Sequence, residues 1–283
     1  MRKHKSALRV LPLVLVLMLV VMGNDKCEPD PELPLTQYPI VLVHGFCGFK
    51  DIVGIEYFYG VEDHLVDLGY DVHTVELSAI NSIETRAQQL KDQLILLNAE
   101  KVNLVAHSQG GVDARYMITH LDMADRVASL TTISTPHRGT SLADIALGLL
   151  PGAIEDMLDF LLNILGMDLE GAYQLTTEYM EQVFNPATPD DPSVYYQSYS
   201  AHAGPGTGNI MDPLFAITSV AIAVFQGSND GIIPVESSIW TNHQGTLAAD
   251  HMDQVGHLFG STDSFDYLGF YEDVSSNLAL RGF

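Results

Sequence analysis

The feature that most constrains this chain is a serine in a tight turn between a predicted strand and a predicted helix. Residues 102–106 form a short apolar run typical of a buried strand, and a helical pattern follows as far as His120. Ser108 has Ala106 two residues before it and Gly110 two residues after it. A sharp strand-to-helix turn brings the backbones at those two positions close together, so they must be small. The pattern favours a nucleophilic serine lifted out of a sheet over a serine in an ordinary strand–helix turn.

Apolar runs and helical patterns alternate through the first half of the chain. With 283 residues, of which 47% are hydrophobic, the chain can bury one large core. Strands followed by helices predict a mostly parallel sheet with helices on both faces. The predicted strands are residues 39–43, 71–77, 102–106 and 127–133, and the predicted helices are residues 61–68, 83–97 (with Ser82 as a cap) and the one that follows Ser108.

The second half is less regular. Residues 191–212 are rich in Gly, Pro, Ser and Tyr and predict no regular element. Residues 215–226 form another apolar run that ends in the loop Asn229-Asp230-Gly231, which would place Asp230 in a loop at the end of a strand.

The N-terminus is predicted to be an export signal. Basic residues at positions 2, 3, 5 and 9 precede an apolar stretch over residues 10–22, which is short for a membrane span. We therefore divide the chain into a signal peptide (1–23), a Pro-rich leader (24–37) and one catalytic domain (38–283). An uncleaved anchor is the alternative. After export, Cys27 and Cys47 could form a disulfide, and a free buried thiol at Cys47 is the other interpretation.

The charge of the chain excludes some partners. The formal net charge is −23, which argues against nucleic acid and anionic membrane surfaces. We expect no nucleic-acid partner.

An activated serine needs donors for the oxyanion as well as a base and an orienting acid. The backbone N–H of Gln109, which follows the nucleophile, is one predicted donor. The other is the N–H of Phe46, after the strand that ends at His44-Gly45, although this could also be a simple strand-ending turn.

The acid and the histidine are predicted to follow the serine in that order. Asp230 and His251 satisfy the order. Spacing alone leaves rivals open, since a single histidine is more often structural than catalytic. The rival residues are His243, His257, Asp250 and Asp253.

Several segments together resemble the bacterial true lipases of the Pseudomonas, Burkholderia and Proteus group, with the strongest similarity to the Proteus-like branch. They are residues 38–60 (YPIVLVHGFCGFKDIVGIEYFYG), 102–111, 229–231 and 251–260 (HMDQVGHLFG). The resemblance implies an α/β-hydrolase fold with a mostly parallel central sheet, flanking helices and a helical lid. It also implies a triad of Ser108, Asp230 and His251.

The resemblance further implies one structural calcium ion, Ca2+, near the histidine loop. Its ligands would be the carboxylates of Asp212 and Asp253 and the backbone carbonyls of His257 and Ser261. Oxygen ligands suit this hard cation. His257 and Ser261 differ from the usual residues of the family, and the two acids could instead be solvated loop residues.

A lid is expected at about residues 140–182. Within it, residues 153–165 place apolar side chains on one helical face, although an ordinary core helix would show the same pattern. Both cysteines precede Ser108, so the disulfide that many members carry near the acid and base loops is absent. The resemblance thus implies a monomer that folds without a dedicated foldase.

These observations predict a secreted triacylglycerol lipase that acts at a lipid–water interface and hydrolyses long-chain acyl glycerols by an acyl-enzyme route. The alternatives are a related esterase, thioesterase or polyester depolymerase, and a non-catalytic lipid-binding relative.

Overall fold

The computed structural model describes residues 34–45, 51–52, 55–79, 81–150, 169–257 and 259–283. Several predictions fall on residues outside these ranges: the signal peptide (1–23), most of the leader, Phe46, both cysteines and the central part of the lid segment (151–168). The last residues of the leader are described. There the Gln37 N–H donates to the Phe283 carbonyl, and the Tyr70 hydroxyl donates to the Pro34 carbonyl.

A six-stranded parallel sheet forms the centre of the described residues. The spatial order of its strands is β4-β1-β5-β6-β7-β8, and each neighbouring pair is parallel. A short antiparallel pair, β2 with β3, lies outside this sheet. The strands are β1 (Ile40–Val43), β2 (Asp51–Ile52), β3 (Ile55–Glu56), β4 (Val72–Thr74), β5 (Val102–His107), β6 (Val127–Ile133), β7 (Tyr195–Ala201) and β8 (His243–Leu247).

Helices connect the strands. They are α1 (Val61–Asp67), α2 (Ile83–Leu97), α3 (Gln109–His120), α4 (Ser141–Ala146), α5 (Leu169–Gln174), α6 (Ala216–Gln226), α7 (Val235–Ser238) and α8 (Tyr267–Leu280). Shorter helical turns are Ala124–Arg126, Thr177–Tyr179, Met180–Phe184, Asn185–Ala187, Pro213–Phe215 and Asp253–Val255. Among the described residues, none of these helices combines the length and the apolar character needed to cross a bilayer.

The predicted α/β architecture is confirmed. The bounds of β6 and α2 match the sequence prediction, and Ser82 caps α2 by accepting a hydrogen bond from the Thr85 N–H. The predicted strand at 71–77 is shorter, covering Val72–Thr74 only.

The prediction for the segment before Asp230 is wrong. The apolar run at 215–226 is a helix, α6. The strand that precedes it in sequence is β7, which lies within residues 191–212, where the sequence predicts no regular element. Strand β7 is hard to recognise because it buries polar side chains that bond within the sheet. Gln197 Nε2 donates to Thr131 Oγ1 at 2.9 Å, and Ser200 Oγ lies 2.7 Å from Thr246 Oγ1.

Both faces of the sheet are covered, which explains why β1 is apolar at every position. Val41 and Val43 contact the core that contains Leu90 of α2 and Met117 of α3. The alternate residues of β1, at positions 40 and 42, contact the core made with α1 and α8 on the other face. Because both faces of β1 are buried, its register against β5 is constrained. In this register the carboxyl ends of the two strands lie next to each other.

Candidate active site

Ser108 lies at the junction of β5 and α3. Its backbone has φ 56° and ψ −133°, a conformation that non-glycine residues rarely adopt and that costs about 1–3 kcal/mol. Two hydrogen bonds hold it there: the Ser108 N–H donates to Ile133 O at 2.9 Å, and Thr135 Oγ1 donates to Ser108 O at 2.8 Å. The structure therefore has the strained strand-to-helix turn that the sequence predicts.

Two glycines allow the chain to pass close to this turn. A Cβ atom on Gly45 would lie 2.5 Å from Ser108 Cβ and 3.0 Å from Ser108 Oγ. A Cβ atom on Gly110 would lie 2.6 Å from the Val43 carbonyl oxygen. Neither position has room for a larger residue. The exit of β1 is thus packed directly against the serine hydroxyl.

A buried arginine holds the exit of β1 in place. Arg86 of α2 donates through Nη2 to the carbonyls of His44, at 2.8 Å, and Gly45, at 3.2 Å. Its Nε donates to Asp113 Oδ2 of α3 at 2.7 Å, and both charged side chains are fully buried. The segment that leads to Phe46 is therefore anchored on α2 and α3.

The oxyanion donors are only partly described. Gln109 is the first residue of α3 and is buried, so its N–H belongs to the first turn, where helical N–H groups have no partner within the helix. Phe46 lies outside the described residues and remains a prediction.

Asp230 and His251 form a buried pair. His251 Nδ1–H donates to Asp230 Oδ2 at 2.7 Å, and the side chains are 6% and 0% exposed. Asp230 Oδ1 accepts the N–H groups of Ile232 and Ile233 at 3.0 and 2.7 Å. Burial alone would raise the pKa of Asp230, but the interaction with His251 and these hydrogen bonds outweigh it and lower the pKa. Asp230 is thus an ionised carboxylate at neutral pH.

His251 also lies beside the serine turn. Its ring is 4.5 Å, between centroids, from the ring of His107, the residue that precedes Ser108. This contact places the histidine of the Asp230 pair next to the serine turn, although His251 and Ser108 are 143 positions apart in sequence.

The rival residues have other partners. The ring nitrogens of His243 lie 3.3 and 3.4 Å from the hydroxyls of Ser198 and Ser200 on β7. Asp250 accepts backbone N–H groups from residues 212, 252 and 253, and Asp253 Oδ2 accepts from Asn209 and from the backbone of residue 250. In the described residues neither acid is paired with a histidine. Among the described residues of this loop, the acid that contacts an imidazole is Asp230.

Two of the four predicted calcium ligands, Asp212 and Asp253, contact Asp250. Asp250 Oδ2 accepts the Asp212 N–H at 2.9 Å, and the Asp250 N–H donates to Asp253 Oδ2 at 3.2 Å. Asp253 is buried, whereas Asp212 is partly exposed. His257 is buried and Ser261 is exposed, with Leu258 between them outside the described residues.

Sequence reasoning missed three buried groups of this site: Arg86, Tyr57 and Gln254. Arg86 belongs to an amphipathic helix, and nothing in its local pattern distinguishes it from a surface cation. Tyr57 and Gln254 lie within the segments that carry the family resemblance, so that resemblance was the signal that could have drawn attention to them.

The comparisons with known proteins agree with this fold. The sequence profile described as alpha/beta hydrolase fold matches residues 38–251. The chain belongs to the α/β-hydrolase family. It is similar to a triacylglycerol lipase of Vibrio cholerae (32% identity, covering 87% of this chain and 89% of the relative) and to triacylglycerol lipase 2 of Saccharomyces cerevisiae (34% identity, 83% and 77%).

Another relative matches a smaller part of the chain, and a solved structure shows the same fold. A triacylglycerol lipase of Burkholderia plantarii is 36% identical over 49% of this chain. The crystal structure of the mature Bacillus licheniformis lipase BlEst2 aligns with a TM-score of 0.62 and 25% identity, covering 81% of this chain and 89% of that one. This α/β-hydrolase is thus a homologue of bacterial triacylglycerol lipases and belongs with the lipases and carboxylic ester hydrolases. The Proteus-like branch stays a prediction.

His44, at the exit of β1, makes stability depend on pH. Its Nε2 accepts the Leu77 N–H at 2.9 Å, so a proton there would break a buried hydrogen bond. Burial, and then the nearby Arg86, lower the pKa of His44 from 6.5 to about 4. Between pH 6.5 and about 4, the His44 imidazole is therefore protonated in the unfolded chain but neutral in the folded chain. The stability that His44 contributes is complete above pH 6.5 and is lost as the pH falls toward 4.

We predict that His44→Gln flattens this pH dependence. From pH 7 to pH 4, the wild type should lose about 3 kcal/mol of unfolding free energy relative to the variant, because glutamine does not titrate. Urea unfolding at several pH values measures it, with His73→Gln as a control for removing an exposed imidazole. A difference that is constant with pH would contradict the prediction.

Proposed function

We propose that this protein is a secreted triacylglycerol lipase that hydrolyses long-chain acyl esters through an acyl-enzyme on Ser108. The observation that carries the proposal is the buried 2.7 Å bond between His251 and Asp230 beside a serine held at φ 56°. The homologous triacylglycerol lipases supply the substrate class. Export is inferred from the basic and apolar N-terminal residues, and a monomer that needs no foldase from the family resemblance.

The mechanism follows from the chemistry of these groups. His251 Nε2 takes the proton of Ser108 Oγ as that oxygen attacks the ester carbonyl. The N–H of Gln109, with that of Phe46, donates to the oxyanion that forms. The tetrahedral intermediate collapses, the glycerol oxygen leaves with the proton from His251, and the acyl group stays on Ser108. Water, deprotonated by His251, then releases the fatty acid and restores the serine.

Asp230 acts throughout as a fixed negative charge. Its lowered pKa keeps it ionised, and its bond to Nδ1 selects the tautomer whose Nε2 can accept a proton. The carboxylate also stabilises the imidazolium that appears in each half of the reaction. Because four donors hold its two oxygens, it need not reorganise as that charge develops.

An exposed apolar face supports a water-insoluble substrate. Helix α6 exposes Ile217 by 64%, Val220 by 67% and Val224 by 73%, and the sequence from Pro213 to Asn229 carries no charged residue. The face adjoins the acid loop, because Asn229 Nδ2 donates to the Ser219 carbonyl of α6. An uncharged lipid surface is the partner that this face suits.

The calcium proposal is supported by two observations. Burial and the neighbouring carboxylate of Asp250 raise the pKa of Asp253 to about 6, and no cationic side chain of the described residues is paired with it. Beside it, the buried Asn209 Oδ1 has no hydrogen-bond partner in the described part of the chain. A hard cation would satisfy such oxygens.

The side-chain carboxylates alone would not supply enough ligands for a calcium ion, so backbone carbonyls would have to complete the site. In the described ranges no three His, Cys, Asp or Glu side chains converge as metal ligands. The carboxylates of Asp212 and Asp253 would therefore be completed by the carbonyls of His257 and Ser261. The ion would supply rigidity to the loop that carries His251, two residues from Asp253.

Of the predictions that follow from this proposed function, the first tests the triad. Ser108→Ala and His251→Gln should each lower kcat on p-nitrophenyl esters by roughly a thousandfold or more, because each removes a group that bonds to the reacting atoms or moves their proton. His243→Gln is the matched control and should leave kcat close to wild type, since that histidine lies on β8. Activity retained by Ser108→Ala would refute the enzyme mechanism.

The second prediction tests the lipid surface. The triple variant Ile217→Ser, Val220→Ser, Val224→Ser should hydrolyse emulsified triglyceride roughly tenfold more slowly, because it removes exposed apolar area that would contact lipid. Its rate on soluble p-nitrophenyl butyrate should be unchanged. The control is Ile95→Ser with Leu96→Ser, two exposed apolar residues of α2. Equal losses on both substrates would contradict the role of α6.

The third prediction tests calcium. Chelation should lower the Tm by roughly 5–10 °C, since an ion present at a hundred times its Kd contributes about 2.7 kcal/mol. Asp253→Asn should remove this sensitivity, whereas Asp71→Asn, which changes an exposed acid elsewhere, should preserve it. A wild-type Tm that does not respond to chelator would reject the site.

A further inference from the structure

Behind the Asp230–His251 pair lie three buried polar side chains, of which the mechanism above uses only Gln254, as one of the four donors to Asp230. They are Tyr57, which is 6% exposed, and His107 and Gln254, which are both fully buried. They come from three distant parts of the sequence. Burying so many polar groups is costly unless they bond to one another, so their arrangement calls for a physical account.

Gln254 has its amide fixed by two acceptors. Its Nε2 donates to Asp230 Oδ2 at 3.1 Å and to the Asp250 carbonyl at 2.9 Å. Both amide hydrogens are used in this way, so the other end of the amide must present Oε1. That oxygen is buried and has no full hydrogen bond among the described residues.

His107 supplies the matching donor. The Tyr57 hydroxyl lies 2.7 Å from His107 Nδ1. Burial, and then the neighbouring His251, lower the pKa of His107 well below 6.5, so the ring is neutral and carries one proton. With the tyrosine donating to Nδ1, that proton is on Nε2. The Gln254 amide lies within hydrogen-bonding reach of the His107 ring, and Nε2 and Oε1 are the atoms of the two side chains left without other partners among the described residues.

We propose that Gln254 is a positioning residue for Asp230 and that Tyr57 and His107 fix its orientation. The donors run in one direction: Tyr57 Oη–H to His107 Nδ1, His107 Nε2–H to Gln254 Oε1, and Gln254 Nε2–H to Asp230 Oδ2. This inference rests on the proposed triad, and it assigns to the triad a supporting chain that reaches back to the residue before the nucleophile.

The direction of this chain matters for the acid. If the Gln254 amide were reversed, Oε1 would face Asp230 Oδ2, and two oxygens would repel each other where a donor now stands. The carboxylate would then rotate or draw a proton, and either change weakens its bond to His251. A neutral amide donor fixes the carboxylate without competing for the proton that His251 moves. His107 also contacts the His251 ring, 4.5 Å away, and so limits its tilt.

The experiment compares isosteric variants of Gln254 on soluble p-nitrophenyl butyrate. Gln254→Met removes the donor, and Gln254→Glu replaces it with an acceptor. Hydrogen bonds to charged groups contribute enough that each variant should lower kcat roughly ten- to a hundredfold. KM should stay within about twofold, because neither side chain contacts substrate. Folding is checked by circular dichroism and by Tm.

His107 provides a matched pair with a conservative rescue. His107→Leu should lower kcat roughly tenfold, because Gln254 Oε1 loses its donor. His107→Gln, whose terminal amide can donate from the position of Nε2, should recover most of that loss. A purely structural role would lower Tm in both variants and would not separate their kcat values.

The outcomes are distinct. Wild-type kcat in a folded Gln254→Met, or equal kcat in His107→Leu and His107→Gln, overturns the proposal. If the Gln254 variants do not fold, the His107 pair decides. Ser108→Ala is assayed in parallel: if it is active, the triad itself is wrong, whereas if it is inactive and Gln254→Met is fully active, only the positioning chain is wrong.

Discussion

The backbone strain at Ser108 is the constraint on which the rest of the structure depends. A non-glycine residue at φ 56° and ψ −133° persists only where its surroundings over-determine it. Here the Ser108 N–H donates to β6, the Ser108 carbonyl accepts from Thr135, and the Gly45 backbone packs closely against the Ser108 side chain. The sheet is covered on both faces, so none of these supports can move away without opening the core. The strain thus places the hydroxyl at the carboxyl end of the sheet.

Buried charge and buried hydrogen bonds then align the segments around that hydroxyl. Arg86 ties the exit of β1 to α2 and α3, and Asp230 gathers four donors from the loops after α6 and β8. In a low-dielectric interior each of these groups would be costly if left alone. Their mutual satisfaction therefore determines both the fold of the loops and the ionisation state of the acid.

The same molecule shows a strong contrast at its surface. The chain is acidic as a whole, yet α6 presents an uncharged aliphatic face next to the acid loop. An acidic surface keeps the protein in water, while a local apolar face allows contact with a lipid surface that carries no charge. The proposed substrate class agrees with both properties.

The sequence by itself determined the parallel α/β architecture and the serine turn. These depend on local patterns: apolar runs of strand length, small residues around Ser108, and helix caps such as Ser82. It misassigned residues 215–226 as the approach to a strand-end loop, although an apolar run of this length is longer than most strands and favours the helix that the structure shows. It also overlooked β7, whose buried polar residues bond to neighbouring strands.

Only the tertiary structure shows the contact between His251 and Asp230. Spacing left His243 and His257 open as rivals and the family resemblance favoured His251, but the pairing itself depends on contacts between residues that are far apart in sequence. The orientation of Gln254 and the tautomer of His107 are likewise set by partners brought together by folding. Local sequence patterns carry strand and helix periodicity, whereas the direction of a buried hydrogen bond exists only once both of its partners are in place.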